Sequence, residues 1–169
     1  MAVTSDFGIR ASVRNTKASD LTTTADALDF VRGVHLESGT GAGKADRVFH
    51  DQRTLAASAT ETLDLAGVLT DVYGAAITFA RVKFIAISAA SGNTNNVIVG
   101  ANASNDWVGL LNAAGTITLR PGASFAAMSG SADATGMAVT AGTGDLIKVA
   151  NSAGSTSVTY DVVIVGVSA

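Results

Sequence analysis

The 169-residue sequence contains no cysteine, one proline and few aromatic residues, which make up 5% of the chain. Without cysteine, disulfide frameworks, Cys-ligated zinc and thiol catalysis are excluded. The formal net charge of −3 argues against a nucleic-acid partner, because nucleic-acid-binding proteins normally carry a basic patch. Arg81 and Lys83 interrupt the longest apolar stretch before it reaches the length of a membrane span. We therefore expect neither nucleic acid nor membrane as a partner.

Motifs for catalysis or cofactor binding are incomplete in this sequence. The segment from Ser38 to Ala45 looks like a phosphate-binding loop, but such a loop needs Gly at position 38 and Ser or Thr at position 45. The pair His50-Asp51 could do acid–base work, but no nucleophile motif accompanies it. We therefore predict that the protein is not an enzyme, that it has no catalytic or cofactor-binding residue, and that Ser38–Gly43 is a flexible linker or loop.

Two further kinds of site depend on loop residues. Asp106, Asp133 and Asp145 could approach Ca²⁺ from loops, but the dense Asp/Asn/Gly pattern of an EF-hand is missing. We therefore predict no metal site, and expect Asp145 to end the turn formed by residues 142–144. Trp107 could stack on a carbohydrate, although a single Trp more often packs in a core, and we favour packing.

The N-terminal part of the chain carries most of the charge. Of the 25 charged side chains, 19 lie at or before Lys83. Residues 1–20 show neither helical nor strand periodicity and are interpreted as an extended arm. The sequence then predicts one short helix near residues 24–32, because Thr23 and Asp26 resemble a capping box and Gly33 can end a helix. Residues 1–45 are thus expected to form an arm that contains this helix.

From residue 46 onwards, apolar residues recur with the period of two that is typical of strands. Turn-forming clusters of Gly, Asn, Ser and Pro separate these segments at short spacing, which favours an antiparallel sandwich over a parallel α/β sheet. The sequence therefore predicts an all-β protein in which residues 46–169 form an antiparallel, jelly-roll-like β-sandwich. The predicted strands are Arg47–Thr54, Thr60–Leu65, Ile77–Ser88, Asn96–Ala101, Thr116–Arg120, Ser124–Met128, Met137–Thr140, Asp145–Ala150 and Ser157–Val167.

Two of these strands, Ile77–Ser88 and Ser157–Val167, are apolar on both faces. In the first, the even-numbered residues from Ala80 to Ala86 are expected to face the core. A strand that is apolar on both faces needs cover on both sides. The second face could be covered by the N-terminal segment, a bulge could shift the alternation, or neighbouring subunits could bury it. The last interpretation predicts a homo-oligomer, with a trimer favoured, whose interface residues would be Phe79, Ile85, Ile87, Val163, Val165 and Val167.

Residues 44–169 resemble the small head proteins of tailed bacteriophages. The resemblance lies in four stretches: Lys44-Ala-Asp-Arg-Val-Phe-His-Asp-Gln-Arg-Thr-Leu55, Asp64-Leu-Ala-Gly-Val-Leu-Thr-Asp71, Ser91-Gly-Asn-Thr-Asn-Asn96 and Ala141-Gly-Thr-Gly-Asp-Leu-Ile-Lys-Val-Ala-Asn151. It implies a capsid decoration or cement protein with a jelly-roll-like body, no cofactor and no catalytic residue. Such a protein would be made in the bacterial host cytoplasm and would bind the major capsid protein at the capsid surface of the virion.

The N-terminal arm lies outside this resemblance, and we expect it to grip the capsid. Arm and body together offer six cationic candidates for contact with acidic capsid surfaces, namely Arg10, Arg14, Lys17, Arg32, Arg47 and Arg53. Solvated charge is the alternative interpretation of these residues, because exposed charges usually contribute little. The alternative function is a tail-fibre or baseplate sandwich that binds a host surface glycan, for which Trp107 and Tyr73 would be the aromatic contacts.

Overall fold

The computed structural model describes residues 2–132, 134 and 136–169. These residues form twelve β-strands and no helix, so no helix among them could span a membrane. The strands are β1 Ser5–Ala18, β2 Thr23–Ser38, β3 Lys44–Ala45, β4 Arg47–Leu55, β5 Thr60–Asp64, β6 Arg81–Ala89, β7 Val97–Gly100, β8 Thr116–Leu119, β9 Ser124–Met128, β10 Met137–Ala138, β11 Leu146–Asn151 and β12 Val158–Val167.

Strands β4 to β12 form two packed antiparallel sheets. One sheet has the order β9-β6-β12-β4, with the short β10 pairing the start of β6, and the other has the order β5-β11-β7-β8. The chain passes from one sheet to the other between β4 and β5, β5 and β6, β6 and β7, β8 and β9, β10 and β11, and β11 and β12. This is the connectivity of a jelly roll. The predicted all-β sandwich is confirmed, and the nine predicted strands correspond to β4 through β12.

The core between the two sheets follows from period-two alternation. Along β12, Val158, Tyr160, Val162 and Ile164 are all buried and point inward, where they meet Ile147 and Val149 of β11. Trp107 is buried in the same core and its indole Nε1 donates a hydrogen bond to the Ala138 carbonyl oxygen at 2.8 Å. The prediction that Trp107 packs in the core is therefore confirmed, and a carbohydrate platform at this residue is ruled out.

The helix predicted near residues 24–32 is wrong. Residues 23–38 form strand β2, which pairs with β1 through fourteen consecutive antiparallel pairs. Every second residue from Leu28 to Leu36, apart from Arg32, is apolar, and β1 supplies the partner that this alternation needs. Gly33 does not end a helix but lies opposite Gly8, so one cross-strand pair of the hairpin has no side chains.

The segment predicted as a flexible linker or loop is a loop that is closed by hydrogen bonds. It returns the chain so that β3 pairs in parallel with the end of β2. Within it, the Glu37 amide donates to the Gly43 carbonyl oxygen at 2.9 Å, and the Gly39 amide donates to the Ala45 carbonyl oxygen at 3.1 Å. Gly39 and Gly43 have φ values of 135° and 66°, a region of the backbone map that glycine adopts without strain. These glycines thus serve a tight turn rather than flexibility.

A β-bulge changes which face of β6 points inward. Val165 of β12 pairs with Phe84, but the next residue, Gly166, pairs with Val82. The register between β12 and β6 therefore shifts by one residue at Lys83. The extra residue shifts the alternation. Val82 therefore faces the core before the bulge, as predicted, whereas Ile85 and Ile87 face it afterwards. The predicted inward orientation of Phe84 and Ala86 is wrong for this reason.

The bulge leaves no room for a side chain at Gly166. A Cβ at this position would overlap the Arg81 carbonyl oxygen and lie 2.8 Å from Phe79 Cδ1. We expect Gly166→Ala to lower the free energy of unfolding by about 1–3 kcal/mol, the usual cost of overpacking, as measured by thermal or urea denaturation. Gly92→Ala is the matched control, because a Cβ at Gly92 meets nothing within 4 Å. Equal melting temperatures for the two variants would contradict this explanation of the bulge.

Candidate interaction surface

The hairpin of β1 and β2, residues 5–38, is called the arm, and its base packs on the outer face of the β9-β6-β12-β4 sheet. Leu36 is buried there against Val165, with Val34 packed beside them. The rings of Phe7 and Phe84 stack with centroids 4.2 Å apart and planes 4° from parallel. The arm is thus anchored by an apolar contact that is separate from the core between the two sheets.

The residues predicted as a subunit interface are mostly buried inside the single chain, so that prediction is wrong for five of them. Ile85 and Ile87 belong to the core between the sheets, because the bulge shifts the alternation of β6. Phe79 precedes β6 and is buried in the same core, where its amide donates to the Leu65 carbonyl oxygen at 2.8 Å. Val165 is covered by the base of the arm, and Val167 is also fully buried. Val163 is only partly buried and packs against the cluster under the arm. The chain itself therefore covers the second apolar face of these strands.

Beyond its base the arm is exposed on both sides, and one side is apolar. Ile9, Ala11 and Val13 of β1 alternate on the same side as their neighbours Phe30 and Leu28 of β2. These five residues are called the arm face. The four large side chains among them are 39–57% exposed. An isolated two-stranded hairpin is only marginally stable in water, and a contiguous exposed apolar patch indicates an interaction surface.

Charged residues flank the arm face at both ends. Arg32 lies opposite Ile9 at the end nearer the body, and its guanidinium carbon is 4.6 Å from the centroid of the Phe30 ring. Asp26 lies opposite Asn15 at the end nearer the tip. The reverse side of the arm is mostly polar and carries a hydrogen bond between His35 Nδ1 and Asp6 Oδ1 at 2.7 Å and an ion pair between Arg10 and Asp29 at 3.5 Å.

The structure divides the six predicted capsid-contact cations into two groups. Arg10, Arg14, Lys17 and Arg32 lie on the arm and are exposed. The other two lie on the body, where Arg47 pairs with Asp46 at 3.1 Å and Arg53 pairs with Glu61 at 2.6 Å. Arg53 is therefore held by an ion pair within the chain and is only partly exposed. The arm from Ser5 to Ser38 carries four Lys or Arg and five Asp or Glu, a net charge of −1, so its apolar face distinguishes it more than its charge.

Arg53 belongs to a polar cluster that sequence reasoning missed and that joins the two sheets. The hydroxyl of Tyr160 on β12 donates to Glu61 Oε1 on β5 at 2.8 Å, and Arg53 on β4 donates to Glu61 Oε2. Burial raises the pKa of Tyr160 far above its usual value, and the hydrogen bond to Glu61 adds to this effect. Burial alone lowers the pKa of Arg53, but Glu61 outweighs it and the pKa is raised. The cluster thus places a phenol with a raised pKa beside the ion pair between Arg53 and Glu61.

The remaining candidate residues do not converge on a reactive centre. His50 is exposed on β4, whereas the neighbouring Asp51 forms an ion pair with Arg53 at 3.1 Å. Asp145 Oδ2 accepts a hydrogen bond from the Gly142 amide at 2.6 Å, which confirms its predicted role at this turn. Asp133 lies outside the described residues. Within the described part of the chain, no group of three or more His, Cys, Asp or Glu is placed to hold a metal ion.

An open groove lies beside the base of the arm. Its volume is about 470 Å³, and Val3, Val48, His50 and Tyr73 are among the residues that line it. Tyr73 is 75% exposed. The glycan-binding alternative predicted two aromatic contacts, Trp107 and Tyr73. Trp107 is buried in the core, so of these two only Tyr73 is exposed at the groove.

Comparison of the chain with protein-family models, with curated proteins and with solved structures gives no match. The function of the arm therefore has to be inferred from its geometry and from the sequence.

The polar cluster predicts a loss of stability in alkaline solution. Because the folded-state pKa of Tyr160 lies above its unfolded value of about 10, the folded state keeps a proton that the unfolded state releases. The stabilisation is complete below about pH 10 and is lost above it, by up to about 1.4 kcal/mol per pH unit. We expect the stability difference between wild type and Tyr160→Phe to shrink as the pH rises through this range, as measured by denaturation at each pH.

Tyr73→Phe is the matched control, because it removes a hydroxyl from an exposed tyrosine. Its stability relative to wild type should be the same at each pH. A Tyr160→Phe difference that stays constant with pH would show that the phenol is not held neutral by the fold.

Proposed function

We propose that this chain is a non-enzymatic structural protein of a virion that binds the lattice of major capsid proteins as a decoration or cement protein. The observation that carries the proposal is the arm, which extends from a packed sandwich and exposes the apolar arm face to solvent, where another protein subunit could cover it. The resemblance of residues 44–169 to small head proteins of tailed bacteriophages names the kind of assembly. A structural role of this kind needs shape and contacts rather than a reactive centre.

The dimensions of the arm suit a contact that crosses a neighbouring subunit. Ten cross-strand pairs follow the Gly8–Gly33 pair, and at about 3.4 Å per residue they extend about 34 Å from the base. The strands are already paired along this length, so docking orders fewer residues than it would in an unstructured arm. This lowers the entropic cost of assembly relative to a disordered segment.

Many copies on a symmetric lattice make a weak single contact sufficient, because linked contacts raise the overall avidity. The exposed cations Arg14 and Lys17 near the tip can add contacts to acidic capsid surfaces, although exposed ion pairs usually contribute less than about 1 kcal/mol each. The arm face and the length of the arm are therefore the main support for the proposal.

A shortened arm tests this function. Replacing Arg10–Val31 by Asn-Gly, a dipeptide that favours a two-residue hairpin turn, keeps Phe7, Val34 and the packed base. We expect this variant to keep the melting temperature of the sandwich and to be lost from purified particles, because it lacks the part of the arm that reaches other subunits. The measurement is copies per particle by quantitative mass spectrometry, relative to the major capsid protein.

Tyr73→Ser is the body-surface control and should leave the copy number unchanged, since Tyr73 lies outside the arm. Full occupancy by the shortened variant would contradict attachment through the arm. A wild-type chain present in far fewer copies per particle than the major capsid protein would favour the tail-fibre or baseplate alternative instead.

A further inference from the structure

We propose that the tip of the arm, residues 19–22, docks in the groove beside the arm base of a neighbouring copy of this chain. This contact goes beyond attachment to a capsid, because it names the occupant of a groove that the capsid role leaves unassigned. Three observations support it: the side chains at the tip, the lining of the groove, and the length of the arm, which keeps the tip away from its own groove.

The tip presents a leucine that the turn itself does not require. The Ser19 amide and hydroxyl both donate to the Thr22 carbonyl oxygen, at 2.9 and 2.7 Å, and close a two-residue turn over Asp20 and Leu21. Such turns favour Asn, Asp and Gly, so Asp20 fits the turn and Leu21 does not. Leu21 is 99% exposed. A closed turn that holds one fully exposed apolar side chain has the form of an anchor for a pocket on a second protein.

The groove offers apolar contacts to such a side chain. Val3, Val48, Val72 and Ile77 are among the residues that line it. Its volume of about 470 Å³ is within the range of pockets that hold small ligands. A leucine side chain with part of its turn therefore fits, and docking would remove both Leu21 and the 64% exposed Val72 from water.

Charge complementarity favours the same occupant. The tip carries Asp20, and the groove is lined by two side chains that can donate to a carboxylate, Arg47 and His50. The two carboxylates of the groove, Asp46 and Asp71, already accept hydrogen bonds from amides of the chain at 2.8 and 2.9 Å. The groove therefore suits an acidic segment with an apolar side chain next to its carboxylate, which is what the tip provides.

The length of the arm excludes the chain's own tip from its groove. The fourteen residues of β1 separate the groove residue Val3 from the tip and span about 48 Å at about 3.4 Å per residue. Strand β1 pairs with β2 through fourteen consecutive pairs, so the arm cannot fold back on itself. The tip that fills the groove therefore belongs to another copy, and the contact is head-to-tail, the kind that links copies into rings or chains.

A single contact of this size is weak. A four-residue turn in a groove buries less than the roughly 1,200 Å² at which stable interfaces begin, so we expect it to form transiently in solution. On the proposed lattice it links copies that the arm face already attaches, rather than attaching them. The test must therefore detect a short-lived contact.

Disulfide trapping is suited to such a contact, because the chain has no cysteine of its own. Full-length Thr22→Cys, which keeps Asp20 and Leu21, is mixed with full-length Val72→Cys under mild oxidation, and the mixed disulfide is measured by mass spectrometry. Val68→Cys is the matched control, since Val68 is exposed on the same loop but does not line the groove. Docking raises the local concentration of the two thiols, so we expect trapping with Val72→Cys to be about tenfold faster than with Val68→Cys.

Two further substitutions in the Thr22→Cys chain test the chemistry of the contact. Leu21→Ser should abolish the preference for Val72→Cys, because it removes the apolar anchor. Asp20→Lys should reduce the preference, whereas Asp26→Lys changes the net charge equally but lies outside the tip and should not. All of these residues are exposed, so each variant should keep the melting temperature of the sandwich.

Equal trapping of the two valine positions, a preference that survives Leu21→Ser, or equal effects of Asp20→Lys and Asp26→Lys would each overturn the docking. If trapping is equal in solution and Val72→Cys is protected from a thiol reagent only on the particle, a capsid segment occupies the groove instead.

These outcomes are separate from the test of capsid attachment. Selective trapping together with full occupancy of particles by the shortened-arm variant would leave the docking standing and overturn attachment through the arm. Equal trapping together with loss of the shortened-arm variant from particles would do the reverse.

Discussion

The apolar contact between the base of the arm and the outer face of the sheet determines how the rest of the molecule is arranged. Strand β12 is apolar on both faces, so the sandwich core can cover only half of its side chains. The stacked rings of Phe7 and Phe84, with Leu36 over Val165, cover the apolar part of the other face at one end of the sheet, whereas Asp161 on that face is exposed. The hairpin is longer than the surface it covers. The apolar residues at every second position, which cover the sheet at the base of the arm, are therefore exposed to solvent farther along, where they form the arm face.

The polar contacts hold the two sheets and their loops in place but leave this asymmetry unchanged. Glu61 connects β5 to Arg53 and Tyr160 of the other sheet. At the same end of the sandwich, the buried Asn151 donates to the carbonyl oxygens of Ala56 and Thr156 at 3.0 and 2.7 Å. Buried groups paired in this way specify one arrangement of strands. The sandwich is therefore a fixed platform from which a single element extends.

The sequence predicted the body far better than the arm, and the reason is physical. Strand Ser124–Met128 was predicted with the bounds that the structure shows, because turn residues and local alternation determine such segments. The helix near residues 24–32 was wrong because Ala25, Leu28 and Val31 also fit a helical face, and only pairing with the distant β1 decides between the two. The apolar residues on both faces of Ile77–Ser88 pointed to a bulge or to cover by the N-terminal segment among the alternatives. The position of the bulge at Lys83 and the contact of Phe7 with Phe84 depend on residues far apart in the chain, so local periodicity could not choose between them.

The pair Gly8–Gly33 sits where the arm leaves the body, one pair beyond the stacked Phe7. A cross-strand pair without side chains bends more easily than the other pairs of a hairpin. Neither residue has a side chain whose packing would oppose a change in the backbone angles. The part of the arm beyond this pair can therefore bend relative to the body as one unit. If the proposed capsid role holds, such a bend would let identical copies on a curved shell contact their neighbours at slightly different angles without disturbing the sandwich.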